Sequence, residues 1–389
     1  MALLPRERIR VAIEHEAPDR PPLDLGGSYA TAINVVAYAR LCQALGLPAR
    51  SPLLREQTQS VTLDEELRQI LGVDTIGLYE RPPRPELECP GADRTLVSEW
   101  GLTYRQAEGF GSPYTLASHP LAEATLADLD NYPWPDPLVS ARFAGIAEEA
   151  ARLREGPYAV IGNLGWSEVF GLAWYLRGFE NFMVDLLTNK EFARALLRRI
   201  TDYQKARYAA FLDLVGDALD IIPFMDDMGG QNGLFVSPRV YREVIKPFHA
   251  EVLSLIRSRT RAAVMFHSCG GVAPLMDDFV EMGVEILNPV QVAARGMDTA
   301  ALKQRYGQCI AFWGAVDTQN VLPFGSADDV RTEVLRRIAE LGAGGGYVVA
   351  PTHVVQADVP PANVLMLCST ASSLHSPLHD HIHGREAPR

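Results

Sequence analysis

Residues 262–272 read Ala-Ala-Val-Met-Phe-His-Ser-Cys-Gly-Gly-Val. An apolar run, 263–266, passes into His-Ser-Cys and then into a pair of glycines. A short apolar run that stops at a break is how a strand buried on both faces of a parallel sheet reads. His267 and Cys269 are two apart, so on extended chain their side chains leave the same face. The glycines let the backbone turn sharply into a following helix. An imidazole and a thiol so placed are two ligands for a borderline metal such as zinc. A core histidine beside an inert cysteine is the plainer alternative.

The same phrase recurs along the chain. Apolar runs near residues 23, 76, 161, 222, 265, 286, 312 and 348 are each followed by helical spacing. Strand–helix alternation of this kind predicts a parallel sheet. Eight such units over this length predict an α/β protein of the (β/α)8 TIM barrel type. A doubly wound open sheet would want a G-x-G-x-x-G turn after its first strand, and that turn is absent. Residues 5–17 have the spacing of an amphipathic opening helix. Residues 81–121 are rich in Pro and Gly and hold short alternating runs at 95–100 and 102–105, read as a β-hairpin excursion: a lid, a homodimer arm or both. The expected organisation is one barrel domain over 1–373, an N-terminal helical and β-hairpin excursion within 81–137, and a flexible tail over 374–389.

Composition narrows the function. The 389 residues are 47% hydrophobic and 22% charged, with a formal net charge of −12. Such a balance argues against nucleic acid and against an anionic membrane surface as partners. No run of about 18 apolar residues occurs, and the N-terminus lacks the apolar core of a signal peptide. Five scattered cysteines fit free thiols in a reducing cytoplasm.

In a barrel the active site forms at the C-terminal ends of the strands. Reading the polar residues at those ends gives Asn163 and Glu168, then Asp226, Asp227 and Gln231, then His267 and Cys269. Asn288 and Gln291, Asp317 and Gln319, and His353 and Gln356 follow. The aromatic residues Tyr79 and Trp313 lie near the same ends. Asp227 and Asp317 are as well suited to capping turns as to catalysis. His353 leaves the last strand, across the mouth from His267 and Cys269. A His/Cys/His set with an open fourth position is a catalytic zinc arrangement, and Asp227 or Glu168 can fill that position or act as general acid or base.

These residues carry a resemblance. His-Ser-Cys-Gly-Gly (267–271), V-E-I-L-N-P-V-Q (284–291), F-W-G-A-V-D-T-Q (312–319), G-G-G-Y-V-V-A-P-T-H (344–353) and V-P-P-A-N-V (359–364) resemble the uroporphyrinogen decarboxylase superfamily, in its cobalamin-dependent methyltransferase branch. The resemblance implies a (β/α)8 barrel and methyl transfer. It implies zinc held by His267 and Cys269, with His353 standing where the branch carries a cysteine, and a corrinoid carried by a partner protein. Decarboxylating members carry an arginine-rich stretch after the first strand; here residues 23–31 read L-D-L-G-G-S-Y-A-T, with no guanidinium for an octa-anionic porphyrinogen. An imidazole third ligand leaves the metal more Lewis acidic than a second thiolate would. Together with D-D-M-G-G-Q (226–231), this points to O-demethylation of a small methoxylated substrate. Catalytic roles are expected for Asp227, Glu168 and Asp317. Substrate contacts are expected from Asp226, Asn288, Gln231, Tyr79, Trp313 and Gln356. The alternatives are a zinc lyase or hydrolase using Asp227 as base, and a non-catalytic binder of a corrinoid or tetrapyrrole.

Overall fold

The computed structural model describes residues 2–83, 94–109, 111–165 and 168–372. Seven parallel strands form one curled sheet: β1 (Thr75–Tyr79), β2 (Ala159–Asn163), β3 (Ile221–Met225), β4 (Ala263–His267), β5 (Ile286–Asn288), β6 (Ala311–Val316) and β7 (Tyr347–Pro351). They pair in chain order, so each βα unit lies beside the last. The expected first strand is reduced to a single bridge, Leu23 to Val349. Residues 22–24 nevertheless close the barrel. Asp24 N donates to Val349 O (2.9 Å), Val349 N to Pro22 O (2.9 Å) and Asp74 N to Leu23 O (2.8 Å). The segment is short because Pro21 and Pro22 have no N–H to give a ladder, and glycines 26 and 27 end it.

The barrel interior is filled by alternate strand residues, among them Ile161, Ile221, Met265, Ile286, Trp313 and Val348. Ile9 and Ile13 of the opening helix (Pro5–Ile13) plug its lower end. A second, larger apolar layer lies between strands and helices; there Phe266 stacks on Phe279 at 4.4 Å.

The excursion is a three-stranded antiparallel sheet, Thr95–Val97, Thr103–Gln106 and Tyr114–Leu116. Its first two strands match the expected hairpin, and the third was not anticipated. The helix after β2 begins at Phe170. After β3, a π turn, Tyr241–Ile245, precedes the helix Lys246–Arg259. The histidine-rich tail and Cys89 lie outside the described residues. No helix among the described residues is long and apolar enough to cross a membrane.

Candidate metal centre

At the mouth, the ligand atoms of His267, Cys269 and His353 all lie within 4.8 Å of one another. Cys269 Sγ is 3.6 Å from His267 Nε2. The two imidazole rings are 6.2 Å apart, edge to face. Tetrahedral zinc with bonds of about 2.0–2.3 Å holds its ligand atoms roughly 3.5 Å apart. The donor set therefore fits zinc after a small inward movement. Both donor types are those zinc prefers, and among the described residues the set holds three ligands and no fourth.

The backbone around Cys269 is built for this placement. Gly270 takes φ +87°, and a Cβ there would lie 2.2 Å from Gly229 C. Gly271 N donates to Gly230 O at 3.0 Å, binding the loop to the hairpin Gly229–Gly230 and Gly233–Leu234. The glycine pair thus serves close backbone approach as well as the turn. Gln291 Oε1 accepts from Gly270 N (2.6 Å), and Gln231 Nε2 donates to Gln319 Oε1 (2.6 Å), so three glutamines lace the rim.

Asn288 orients His267. Its Nδ2 donates to Trp313 O at 3.2 Å, an atom that can only accept. That fixes Oδ1 as the acceptor facing His267 Nδ1, 2.5 Å away. The ring proton is therefore assigned to Nδ1, and the Nε2 lone pair faces Cys269 and His353. Asn288, expected to touch substrate, is held here against His267 and fixes its tautomer.

Asp227 stands beside the trio. Its Oδ1 accepts from Cys269 N (2.7 Å) and lies 3.8 Å from His267 Nε2. Burial, then the Asp227 charge, pushes the Cys269 thiol well above its ordinary range. A bound cation reverses that by stabilising the thiolate. His353 is exposed by accessible area, yet protein packs densely around it, as for a side chain in an open well. Desolvation, then the neighbouring His267, lowers its pKa to about 4 against the pull of Asp227, so it is neutral at pH 7, as a ligand must be.

The remaining expected residues do other work. Asp226 is wholly buried; it accepts from Val169 N (2.8 Å), Phe170 N (2.6 Å) and Gly171 N (2.7 Å), and meets His249 Nε2 at 2.9 Å. It holds the start of the helix Phe170–Arg177, not a substrate, because its oxygens are already filled. Asp317 accepts from Gln319 N (2.7 Å) and Asn320 Nδ2 (3.0 Å), which makes it the cap of its own turn. Trp313 lies in the barrel floor, its Nε1 donating to buried Asp24 at 2.8 Å. Tyr79 donates to Gly26 O (3.0 Å), and its ring fills the space beside Gly77. Gln356 Nε2 donates to Val354 O within its own loop (3.3 Å). Gln231 lies on the exposed rim.

Sequence reading missed the opposite side of the mouth. Glu80, after β1, accepts from Arg207 Nε at 2.9 Å and from Arg142 at 3.2 Å. Arg142 also donates to Glu99 (2.7 Å) and to Tyr203 OH (2.8 Å). Both arginine side chains are 1% exposed. These pairs join the excursion, the barrel and the helix Lys190–Val215, and floor a cleft walled by Tyr29, Arg55, Trp100 and Tyr104. The available signal was an arginine, Arg207, on the same helical face as Ile200, Tyr203 and Phe211.

Residues 99–374 match the family described as uroporphyrinogen decarboxylase (URO-D). The chain belongs to that family. Among curated relatives, uroporphyrinogen decarboxylase of Ectopseudomonas mendocina is 24% identical over 321 residues, 76% of this chain and 85% of its own length. That of Alkalilimnicola ehrlichii is 24% identical over 306 residues, 74% of this chain and 75% of its own. Among solved structures, a methyltransferase from Methanosarcina mazei superposes with a TM-score of 0.67 at 18% identity, covering 95% of this chain and 99% of that one. That likeness carries the fold, a (β/α)8 barrel.

Proposed function

We propose that this family member is a zinc-dependent methyltransferase, moving a methyl group from a small methoxylated substrate to the corrinoid of a partner protein. The observation that carries the reading is the His267, Cys269 and His353 trio, its ligand atoms within 4.8 Å of one another at the mouth. A zinc ion in that trio would supply Lewis acidity to the substrate oxygen. Asn288 presents the His267 lone pair, and Asp227 anchors the Cys269 backbone and adds negative charge beside the ligands. The cleft beneath the excursion offers aromatic walls for the substrate's body. The relatives' decarboxylase activity stays with the relatives: residues 25–31 supply no guanidinium after the first strand.

The test is metal content of the purified protein beside His267→Ala, Cys269→Ala and His353→Ala, followed by methyl transfer from methoxyarenes to free cob(I)alamin. We expect about one zinc per chain in the wild type and its loss in all three variants. A wild type that stays metal-free after incubation with zinc sinks the proposal.

A further inference from the structure

The rim beside the trio carries three side-chain amides, and one backbone N–H sets the direction of them all. Gly270, the residue after Cys269, donates to Gln291 Oε1 at 2.6 Å. A backbone nitrogen can only donate, so the atom facing it is the Gln291 oxygen, and Gln291 Nε2 turns to Gln319. Gln291 Nε2 meets Gln319 Oε1 at 3.4 Å, and Gln231 Nε2 meets the same oxygen at 2.6 Å. Each assignment follows from the one before. Gln319 Nε2 is left as a donor and Gln231 Oε1 as an acceptor, both on exposed side chains, and among the described residues neither has a partner. The arc is anchored to both halves of the trio. Gln291 holds the residue after Cys269, and Gln231 O accepts from Arg295 N at 2.8 Å. Thr318, next to Gln319, meets Thr352 Oγ1 at 2.7 Å, and Thr352 precedes His353. The open donor and the open acceptor thus stand at the edge of the metal centre, and both are uncharged.

An open N–H beside an open C=O is the complement of a primary carboxamide, which accepts through its oxygen and donates through its nitrogen. An ether or an ionised carboxylate offers only acceptors and would leave Gln231 Oε1 unanswered. The edge of a corrin ring is fringed with primary carboxamides. We propose that Gln231 and Gln319 hold a ring-edge carboxamide of the corrinoid, and so fix the side from which the methyl acceptor reaches the metal centre. The inference rests on the methyl-transfer reading and assigns the acceptor's contact on this chain. Gln291 touches neither partner; it is a positioning residue that acts through Gln319. The cleft for the methyl donor lies across the mouth, beneath the excursion, so donor and acceptor enter from opposite sides.

The test reads binding to the zinc-loaded full chain, with no methyl donor present. The probes are cobinamide and the heptamethyl ester of cobyrinic acid, the same ring with methyl esters in place of its amides. Both are followed by visible absorbance in equilibrium dialysis. Esters can accept from Gln319 but cannot donate to Gln231. The wild type should hold cobinamide about 3- to 10-fold more tightly than the ester, the worth of one hydrogen bond. Gln231→Leu should remove that preference by weakening cobinamide alone, with zinc content unchanged. Equal binding of the two probes by the wild type overturns the proposal. So does a Gln231→Leu variant that keeps the preference or loses both probes together. Should that variant fail to fold, the wild-type comparison decides. A chain that holds zinc and methylates free cob(I)alamin from a methoxyarene, yet binds both probes alike or neither, sinks the carboxamide contact and leaves methyl transfer standing. A chain that holds zinc, binds neither probe and methylates no corrinoid sinks both.

Discussion

The two sides of the barrel mouth are built on opposite principles. Around Glu80, two guanidiniums, two carboxylates and the Tyr203 hydroxyl form a sealed seam. Across the mouth, His267 Nε2, Cys269 Sγ and His353 face one another beside the lone carboxylate of Asp227, and Glu168 Oε2 has no partner at all. Buried polar groups ordinarily find partners, so the seam needs only a structural explanation. The seam pairs guanidiniums with carboxylates, while the trio brings three metal-ligand atoms together beside a single carboxylate. Charge pairing separates the two sides of this mouth.

Four experiments can break or sharpen that contrast. Glu80→Ala leaves the Arg207 and Arg142 guanidiniums buried without a shared carboxylate. We expect a loss of roughly 3–5 kcal/mol in denaturant unfolding, as when one member of a buried ion pair is removed. His267→Ala, by contrast, should leave the metal-free protein about as stable as wild type. An equal loss there would place the trio in the scaffold.

Asn288→Ala should weaken zinc binding about 10- to 100-fold in a competition titration with a chelator, as when an outer partner of a ligating histidine is removed. Unchanged affinity would mean that the Nδ1 contact does not orient the ring.

Zinc affinity should also depend on pH. The raised Cys269 pKa means that binding displaces a thiol proton at neutral pH, so apparent affinity should rise about tenfold per unit of increasing pH. His353 is already neutral there and adds a second proton only in acid, near pH 4. Release of one proton per zinc near pH 7, read by calorimetry in buffers of different ionisation heat, is the check. The smallest effect belongs to Asp317→Ala, which removes a cap and should cost about 1 kcal/mol without altering zinc content. A large loss of methyl transfer with zinc retained would return Asp317 to the catalytic group.

Much of this was legible in the chain. The barrel could be read because apolar strands and helical spacing alternate, and strands ending in polar residues point to one face. The excursion's third strand, Tyr114–Leu116, was hidden because its run is short and one-sided. The Glu80 seam was invisible because its members stand far apart in sequence and match no motif. Trp313 and Tyr79 were misplaced for a related reason. Nearness to a strand end does not say whether a ring points into the barrel floor, as Trp313 does to reach Asp24, or turns back over Gly77, as Tyr79 does.

Asp226 and Asp227 show where the sequence stops. Local sequence determined that two carboxylates follow β3 and that His267 and Cys269 share a face, because strand geometry alternates with a period of two. It could not say which carboxylate would be consumed. That was decided by the packing of the helix Phe170–Arg177 and His249 against β3, which filled Asp226 with backbone donors and left Asp227 beside the ligands. The donors come from residues tens of positions away along the chain, and only tertiary structure brings them within hydrogen-bonding distance.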